Sequence, residues 1–221
     1  DGGDLSKLSQ GLGEVYEILN MDMKPYPCCR SAHCAIDAVL DIRRQMEAHM
    51  GLTIRTEGEA EILAEQIQKI EIDTYLVGYK QCAVSDGCLH PKTILDAKFS
   101  TPYSVAVAFL YGTVAMGQFE PEVVEKKAVQ DLLAKVIVQP SDRFTEQYPK
   151  HWGCFMKLTM QDGTCYETEV EDPSGSVERP LSRAQARNKA EEFLSVVCPG
   201  REQETIEKIL NLAGSERLPV I

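Results

Sequence analysis

The chain has 221 residues, enough for one large domain or two small ones with a real hydrophobic core. Hydrophobic residues make up 43% of the sequence and charged residues 26%, as in ordinary globular proteins. The formal net charge of −11 repels nucleic acid and anionic membranes, so we expect neither as a partner.

Cysteine usage and the N-terminus indicate a cellular compartment. The eight cysteines are scattered, with no Cys-x-x-Cys pair and no spacing typical of a small disulfide framework. No apolar run is long enough for a membrane span, and the first residues carry no signal-peptide pattern. We therefore expect a cytoplasmic protein. The lack of an initiator Met indicates a fragment, a processed product or a trimmed chain.

Apolar periodicity predicts the order of the secondary-structure elements. A helical period predicts helices over 4–20, 32–49, 59–67, 103–112, 122–133, 182–197 and 202–213. Alternating or β-rich runs predict strands over 70–75, 135–139, 154–160 and 166–171. The segment 80–100 is expected to be irregular. This order predicts an α+β fold, a mixed sheet with helices, with separate helices at both ends.

Turn and capping residues support several of these boundaries. Prolines 25 and 27 favour an extended stretch over 21–30. Gly51 is a natural helix stop, and Thr101-Pro102 is a helix-entry signal. Asp162-Gly163 predicts a hairpin turn between the last two strands.

Four stretches of sequence, taken together, resemble one enzyme family. They are Lys24-Pro25-Tyr26-Pro27-Cys28-Cys29-Arg30-Ser31-Ala32-His33 followed by Ile36-Asp37-Ala38, residues 96–106, the 158–170 hairpin, and 172–176 with Pro180-Leu181-Ser182. In order and spacing they are similar to the C-terminal half of MmgE/PrpD enzymes, which include 2-methylcitrate dehydratase and cis-aconitate decarboxylase. The similarity extends over nearly the whole chain.

The resemblance implies a domain organisation. Residues 1–20 would end an all-helical domain, residues 21–179 would form an α+β lid domain, and residues 180–221 would return to the helical domain. The N-terminal helical half, with a His, an Asp and another Lys credited with catalysis, has no counterpart in this sequence. We therefore expect the chain to need that half or a separate partner chain, to be inactive alone, and to form a homo-oligomer such as a dimer.

Three cationic candidates lie within ten residues of one another in this acidic chain. Lys24, Arg30 and His33 occupy an extended segment that leads into a helix N-terminus, where free amides and the helix dipole favour an anion. Arg can hold a carboxylate bidentately, and His titrates near neutral pH. The cluster therefore predicts a carboxylate site. The resemblance implies that Lys24 contacts the substrate carboxylates and takes part in proton transfer.

Each of these candidates also has a structural interpretation. Lys24 could be a solvated lysine beside prolines, His33 could cap the helix, and Arg30 could pair with acids of the same domain. We assign Lys24 and His33 as catalytic and Arg30 as substrate-binding.

Three further residues are weaker candidates for contacts with the substrate. Tyr26 is a candidate for a substrate contact, and its alternative role is to pack within the protein. Lys98 precedes the buried helix whose start Ser100 and Thr101 can cap. The resemblance implies a substrate-facing tyrosine at Tyr75.

A metal site is not expected, although cysteines crowd around His33. Zinc ligands are normally spaced as Cys-x2–4-Cys, whereas Cys28 and Cys29 are adjacent and point apart on an extended chain. The family that the chain resembles works without an iron–sulfur cluster. We therefore expect no metal and no cofactor.

The favoured interpretation is a lyase similar to 2-methylcitrate dehydratase, acting in propionate catabolism. It would eliminate water from a small tricarboxylate by acid/base chemistry, and this half would hold part of the substrate. Two alternatives remain within the family, namely decarboxylation of cis-aconitate and epimerisation of iminodisuccinate. If the chain is not an enzyme, it would be a non-catalytic lid or carboxylate-binding subunit, or a structural dimerisation domain.

Overall fold

The computed structural model describes residues 3–214. The chain forms two compact units. One consists of Tyr26–Ser174 and is called here the central unit. The other combines the described residues before Tyr26 with those after Ser174 and is called the terminal unit. Whether they correspond to a lid and to part of a larger helical domain stays a prediction. No helix in the described part of the chain is both long enough and apolar enough to cross a bilayer.

A four-stranded mixed sheet forms the base of the central unit. Its strands, in chain order, are β1 Ile67–Thr74, β2 Val136–Pro140, β3 Cys154–Met160 and β4 Cys165–Val170. The spatial order is β2-β1-β3-β4, with β1 parallel to β2 and antiparallel to β3. Strands β3 and β4 form a hairpin that turns at Gly163, whose φ of 89° suits glycine. The predicted strands and hairpin are confirmed.

Helices complete the central unit. They are α1 His33–Met50, α2 Glu57–Gln66, α3 Leu76–Cys82, α4 Asp86–Leu89, α5 Ile94–Lys98, α6 Thr101–Tyr111, α7 Pro121–Val124, α8 Lys127–Leu133 and α9 Asp142–Gln147. A 3-10 turn, Arg30–Ala32, precedes α1, and a second one, Met116–Phe119, lies between α6 and α7. Helices and a mixed sheet in one unit give the α+β class that the sequence predicts.

Helices α1 and α6 pack together and form the centre of the core with the sheet. The sequence forms α6 because Ser100 caps its first turn, accepting from the Tyr103 amide at 3.0 Å, and Pro102 suits that turn. Ten of its eleven residues are buried. Helix α1 buries one stripe, from Ile36 to Met46, against this core. The two helices therefore fix the position of the α1 N-terminus relative to the sheet.

A buried arginine on α1 holds the end of α6. The Arg43 guanidinium donates to the carbonyl oxygens of Phe109 and Leu110, which α6 leaves without helical partners, and to that of Ile54. Burial lowers the pKa of Arg43 from its ordinary value, and the guanidinium is balanced by these three oxygens and by nearby Glu47. Arg43 is therefore a structural cation.

We expect Arg43→Met to lower the free energy of unfolding by about 2–3 kcal/mol, because three buried carbonyl groups lose a charged donor. Arg44→Met is the matched control, since the neighbouring side chain is 68% exposed and pairs with Asp41 on the same helix. The control should change stability by no more than about 0.5 kcal/mol. Urea denaturation measures both; equal losses in the two variants would contradict the role given to Arg43.

The terminal unit contains helices with little buried surface. Its elements are the 3-10 turns Leu5–Leu8, Glu17–Asn20 and Leu212–Gly214 and the helices α10 Arg183–Val197 and α11 Glu202–Leu210. Arg187 on α10 donates to Glu207 on α11 at 2.7 Å. Helix α10 has no buried residue, and large apolar side chains such as Leu5 and Leu12 are exposed. Within the described chain this unit therefore lacks a core of its own.

Three sequence predictions about local structure are wrong. The helix predicted over 4–20 is absent because Gly11 and Gly13, at φ 71° and 82°, adopt left-handed backbone that a right-handed helix excludes. The segment 80–100, predicted to be irregular, forms short helices that start at capping hydroxyls. The helix predicted over 122–133 is broken at Lys126, whose extended backbone accompanies ion pairs with acids of α2.

Candidate functional site

The candidate site of the central unit lies at the start of α1. The backbone enters it through the prolines, and the Cys29 amide donates to the Lys98 carbonyl oxygen at 2.9 Å. The turn Arg30–Ala32 then leads into the helix. Arg30 and His33 are buried here, at 8% and 0% exposure, so neither is a solvated surface residue.

Arg30 and Asp37 both hydrogen-bond to the backbone of Ser174. The Ser174 amide donates to Asp37 Oδ2 at 2.6 Å, and its carbonyl oxygen accepts from Arg30 Nη1 at 2.8 Å. Tyr26 completes the arrangement, because its hydroxyl donates to Asp37 Oδ1 at 2.6 Å. We call Tyr26, Arg30, His33, Asp37 and Ser174 the Arg30 network. Each Asp37 oxygen accepts a hydrogen bond, which offsets the cost of burying the carboxylate.

Arg30 also determines which form of His33 the network holds. Arg30 Nη1 lies 3.1 Å from His33 Nδ1. A guanidinium only donates, so Nδ1 must accept, and the imidazole is neutral with its proton on Nε2. The Tyr26 ring meets the imidazole edge-on, with the centroids 5.1 Å apart. His33 in this form is a proton donor through Nε2, beside a fixed positive charge.

Lys24 belongs to the terminal unit, whereas Tyr26, Arg30 and His33 belong to the central unit. Lys24 is exposed, and its carbonyl oxygen accepts from the Lys189 ammonium within the same unit. The structure brings together three of the predicted site residues, Tyr26, Arg30 and His33, in one network of the central unit. The catalytic role of Lys24 stays a prediction.

Lys98 and Tyr75 occupy other positions in the central unit. The Lys98 ammonium lies 5.7 Å from the centre of the Phe119 ring. Tyr75 is 1% exposed and stacks on Tyr148 at 4.7 Å. Burial raises the pKa of the Tyr75 phenol above its usual range, so this hydroxyl stays protonated at neutral pH. Substrate contacts by these two residues stay predictions.

Asp37 and Ser174 were not among the site residues predicted from the sequence. Asp37 lies four residues after His33 on α1, which places both on one face of the helix, and this spacing was an available signal. Ser174 offers only its backbone, and no residue type identifies a backbone contact. No group of three or more His, Cys, Asp or Glu side chains within residues 3–214 is arranged to hold a metal ion.

We expect Tyr26→Phe to lower the free energy of unfolding by about 1.5–3 kcal/mol, because Asp37 loses a buried hydrogen bond to its charged oxygen. Tyr16→Phe is the matched control: Tyr16 is exposed, and its hydroxyl makes a long contact of 3.4 Å to the Gly13 carbonyl oxygen. Denaturant titration of both variants measures the difference. If both lose the same stability, the Tyr26–Asp37 contact is not the one that the structure shows.

Comparisons with known proteins show the family. The model of the MmgE/PrpD C-terminal domain matches residues 26–213. The cis-aconitate decarboxylase-like protein oryM of Aspergillus oryzae is 24% identical over 214 residues, 95% of this chain and 41% of that protein. Cis-aconitate decarboxylase of Mus musculus is 24% identical over 194 residues, 86% of this chain and 35% of the mouse protein. The chain thus spans less than half the length of these relatives. It belongs to the MmgE/PrpD family.

Proposed function

We propose that this chain supplies the carboxylate-binding half of an MmgE/PrpD lyase that acts on a small polycarboxylate. The observation that carries the proposal is a fixed guanidinium, Arg30, beside a neutral histidine, His33, in the region that matches the family. A cation and a proton donor side by side are what carbanion chemistry next to a carboxylate needs.

The chemistry assigns a task to each candidate residue. Loss of a proton or of carbon dioxide beside a carboxylate moves negative charge onto its oxygens, and Arg30 and Lys24 would offset that charge. His33 carries its proton on Nε2, so it would deliver a proton and not accept one. The proton acceptor is then Lys24 or a residue outside this chain.

The choice of substrate rests on the relatives. One relative is named cis-aconitate decarboxylase and the other cis-aconitate decarboxylase-like, so we take cis-aconitate as the first ligand and decarboxylation as the first reaction to test. Dehydration of 2-methylcitrate, which the motifs of the sequence favour, is the second. The two substrates share the tricarboxylate pattern that a cation cluster recognises, so the Arg30 network supports the substrate class and not one member of it.

The proposal includes a helical partner. The terminal unit exposes apolar side chains, among them Leu8, Leu19 and Val196, that a monomeric protein would normally bury. The two relatives are more than twice as long as their match to this chain. We propose that an N-terminal helical half, on the same or on a separate polypeptide, covers these side chains and completes the catalytic set, and that the assembly is a homo-oligomer.

The test is calorimetric titration of cis-aconitate and 2-methylcitrate into the 221-residue chain, with and without a supplied N-terminal half from an MmgE/PrpD protein. Lys24→Ala should weaken binding about tenfold, equivalent to about 1.4 kcal/mol. Lys7→Ala is the matched control, because Lys7 is an exposed lysine of the same unit, and it should bind like the parent.

Three results would count against the proposal. The absence of tricarboxylate binding even with the supplied half would exclude tricarboxylates as the substrate class. Equal affinity of Lys24→Ala and the parent would remove Lys24 from the site. Turnover of either substrate by the chain alone would refute the need for a helical partner.

A further inference from the structure

Beside the Arg30 network lies a group of cysteines that the proposed reaction does not use. Cys29 and Cys82 hydrogen-bond to each other through their thiols, and Cys28 and Cys88 lie near enough to affect Cys82 electrostatically. None of these four cysteines is in a disulfide bond. They come from separate parts of the chain, the segment before α1 and the segment from the end of α3 into α4.

Hydrogen bonds position both of the segments that carry these cysteines. Ser31 Oγ, two residues after Cys29, donates to Gln81 Oε1 at 2.8 Å, next to Cys82. The Cys88 thiol contacts the carbonyl oxygens of Gln81 at 3.6 Å and Phe99 at 3.1 Å. The pairing of Cys29 with Cys82 is therefore a property of how α3 packs on the turn before α1.

The two thiols differ in the way that a reactive pair requires. Cys29 is partly exposed, whereas Cys82 is fully buried. The hydrogen bond with Cys29, and next to it burial, raise the pKa of the Cys82 thiol, so Cys82 keeps its proton. Cys29 is thus the thiol that an oxidant meets first, and Cys82 is a protonated thiol held beside it.

We propose that Cys29 and Cys82 form a peroxide-sensitive dithiol that closes to a disulfide. Hydrogen peroxide oxidises the Cys29 thiol to a sulfenic acid and releases one water. The Cys82 sulfur then attacks the Cys29 sulfur, the S–O bond breaks, and the Cys82 proton leaves with the hydroxyl group as a second water. The two thiols lose two electrons in total, which reduce one peroxide. An added dithiol reductant reverses the bond by exchange.

A second thiol pair in the unit provides an internal comparison. Cys34 and Cys154 also hydrogen-bond to each other, but both are almost fully buried, and burial raises the pKa of Cys34 well above its usual range. A peroxide molecule has no exposed thiol to attack in that pair. The exposed Cys165 on β4 is the opposite case, since its thiol contacts Thr159 and Gly163. Exposure and pairing occur together at Cys29 and Cys82.

The experiment is disulfide mapping of the full 221-residue chain after hydrogen peroxide treatment and alkylation of the remaining thiols. Trypsin releases Cys29 in peptide 8–30 and Cys82 in peptide 81–92, so the disulfide joins two otherwise separate peptides. We expect this linked product in the parent and in the double variant Cys28→Ser/Cys88→Ser, in which Cys29 and Cys82 are the sole cysteines of their peptides. It should disappear in Cys29→Ser and on reduction with dithiothreitol.

Oxidation of Cys165 while peptides 8–30 and 81–92 stay unlinked would overturn the proposal, as would a link that persists in Cys29→Ser. Fragmentation of the linked peptides from the parent protein identifies the bonded residues directly, so the result does not depend on a variant that folds. The mapping needs no tricarboxylate, so failure of the proposed function leaves this test intact, and failure of this test leaves the proposed function intact.

Discussion

The candidate site depends on the backbone of one residue, Ser174, whose amide donates to Asp37 and whose carbonyl oxygen accepts from Arg30. Both charges are buried, and a buried charge without a partner is costly. Each charge here uses the backbone of Ser174 to satisfy part of its hydrogen bonding, so the anion and the cation are joined through the backbone of one residue. The contacts span 137 and 144 residues of sequence, so they tie the segment after β4 to the start of α1.

The properties of His33 and Tyr26 follow from this arrangement. Arg30 is oriented by the Ser174 carbonyl oxygen, and the same nitrogen donates to His33 Nδ1, which fixes the neutral imidazole. Asp37 in turn orients the Tyr26 hydroxyl. A buried polar network of this kind specifies one geometry, because loss of any member removes a hydrogen bond from a buried neighbour. The core of α1, α6 and the sheet supplies the rigid support.

The sequence predicted those features that come from local patterns. Helices α1 and α6, the four strands and the hairpin followed from periodicity, capping residues and the Asp162-Gly163 turn. Arg30, His33 and Tyr26 were chosen as candidates because they lie within ten residues of one another in an acidic chain; the structure places them in one network, and their roles toward a substrate stay predictions. Periodicity failed over residues 4–20, where the left-handed backbone of Gly11 and Gly13 outweighs the apolar spacing around them. The role of Ser174 and the pairing of Cys29 with Cys82 arise from long-range packing, which no spacing in the sequence encodes.

The hydrogen bond from the Ser174 amide to Asp37 is tested most directly by amide hydrogen exchange followed by NMR on the unmodified chain. The account predicts that the Ser174 amide exchanges at least about 100-fold more slowly than an unstructured peptide, an opening free energy of about 2.7 kcal/mol or more. The same amide in Asp37→Ala should lose most of that protection, because the variant removes the carboxylate that accepts its hydrogen bond. Exchange of the Ser174 amide in the parent chain at the rate of an unstructured peptide would contradict the account.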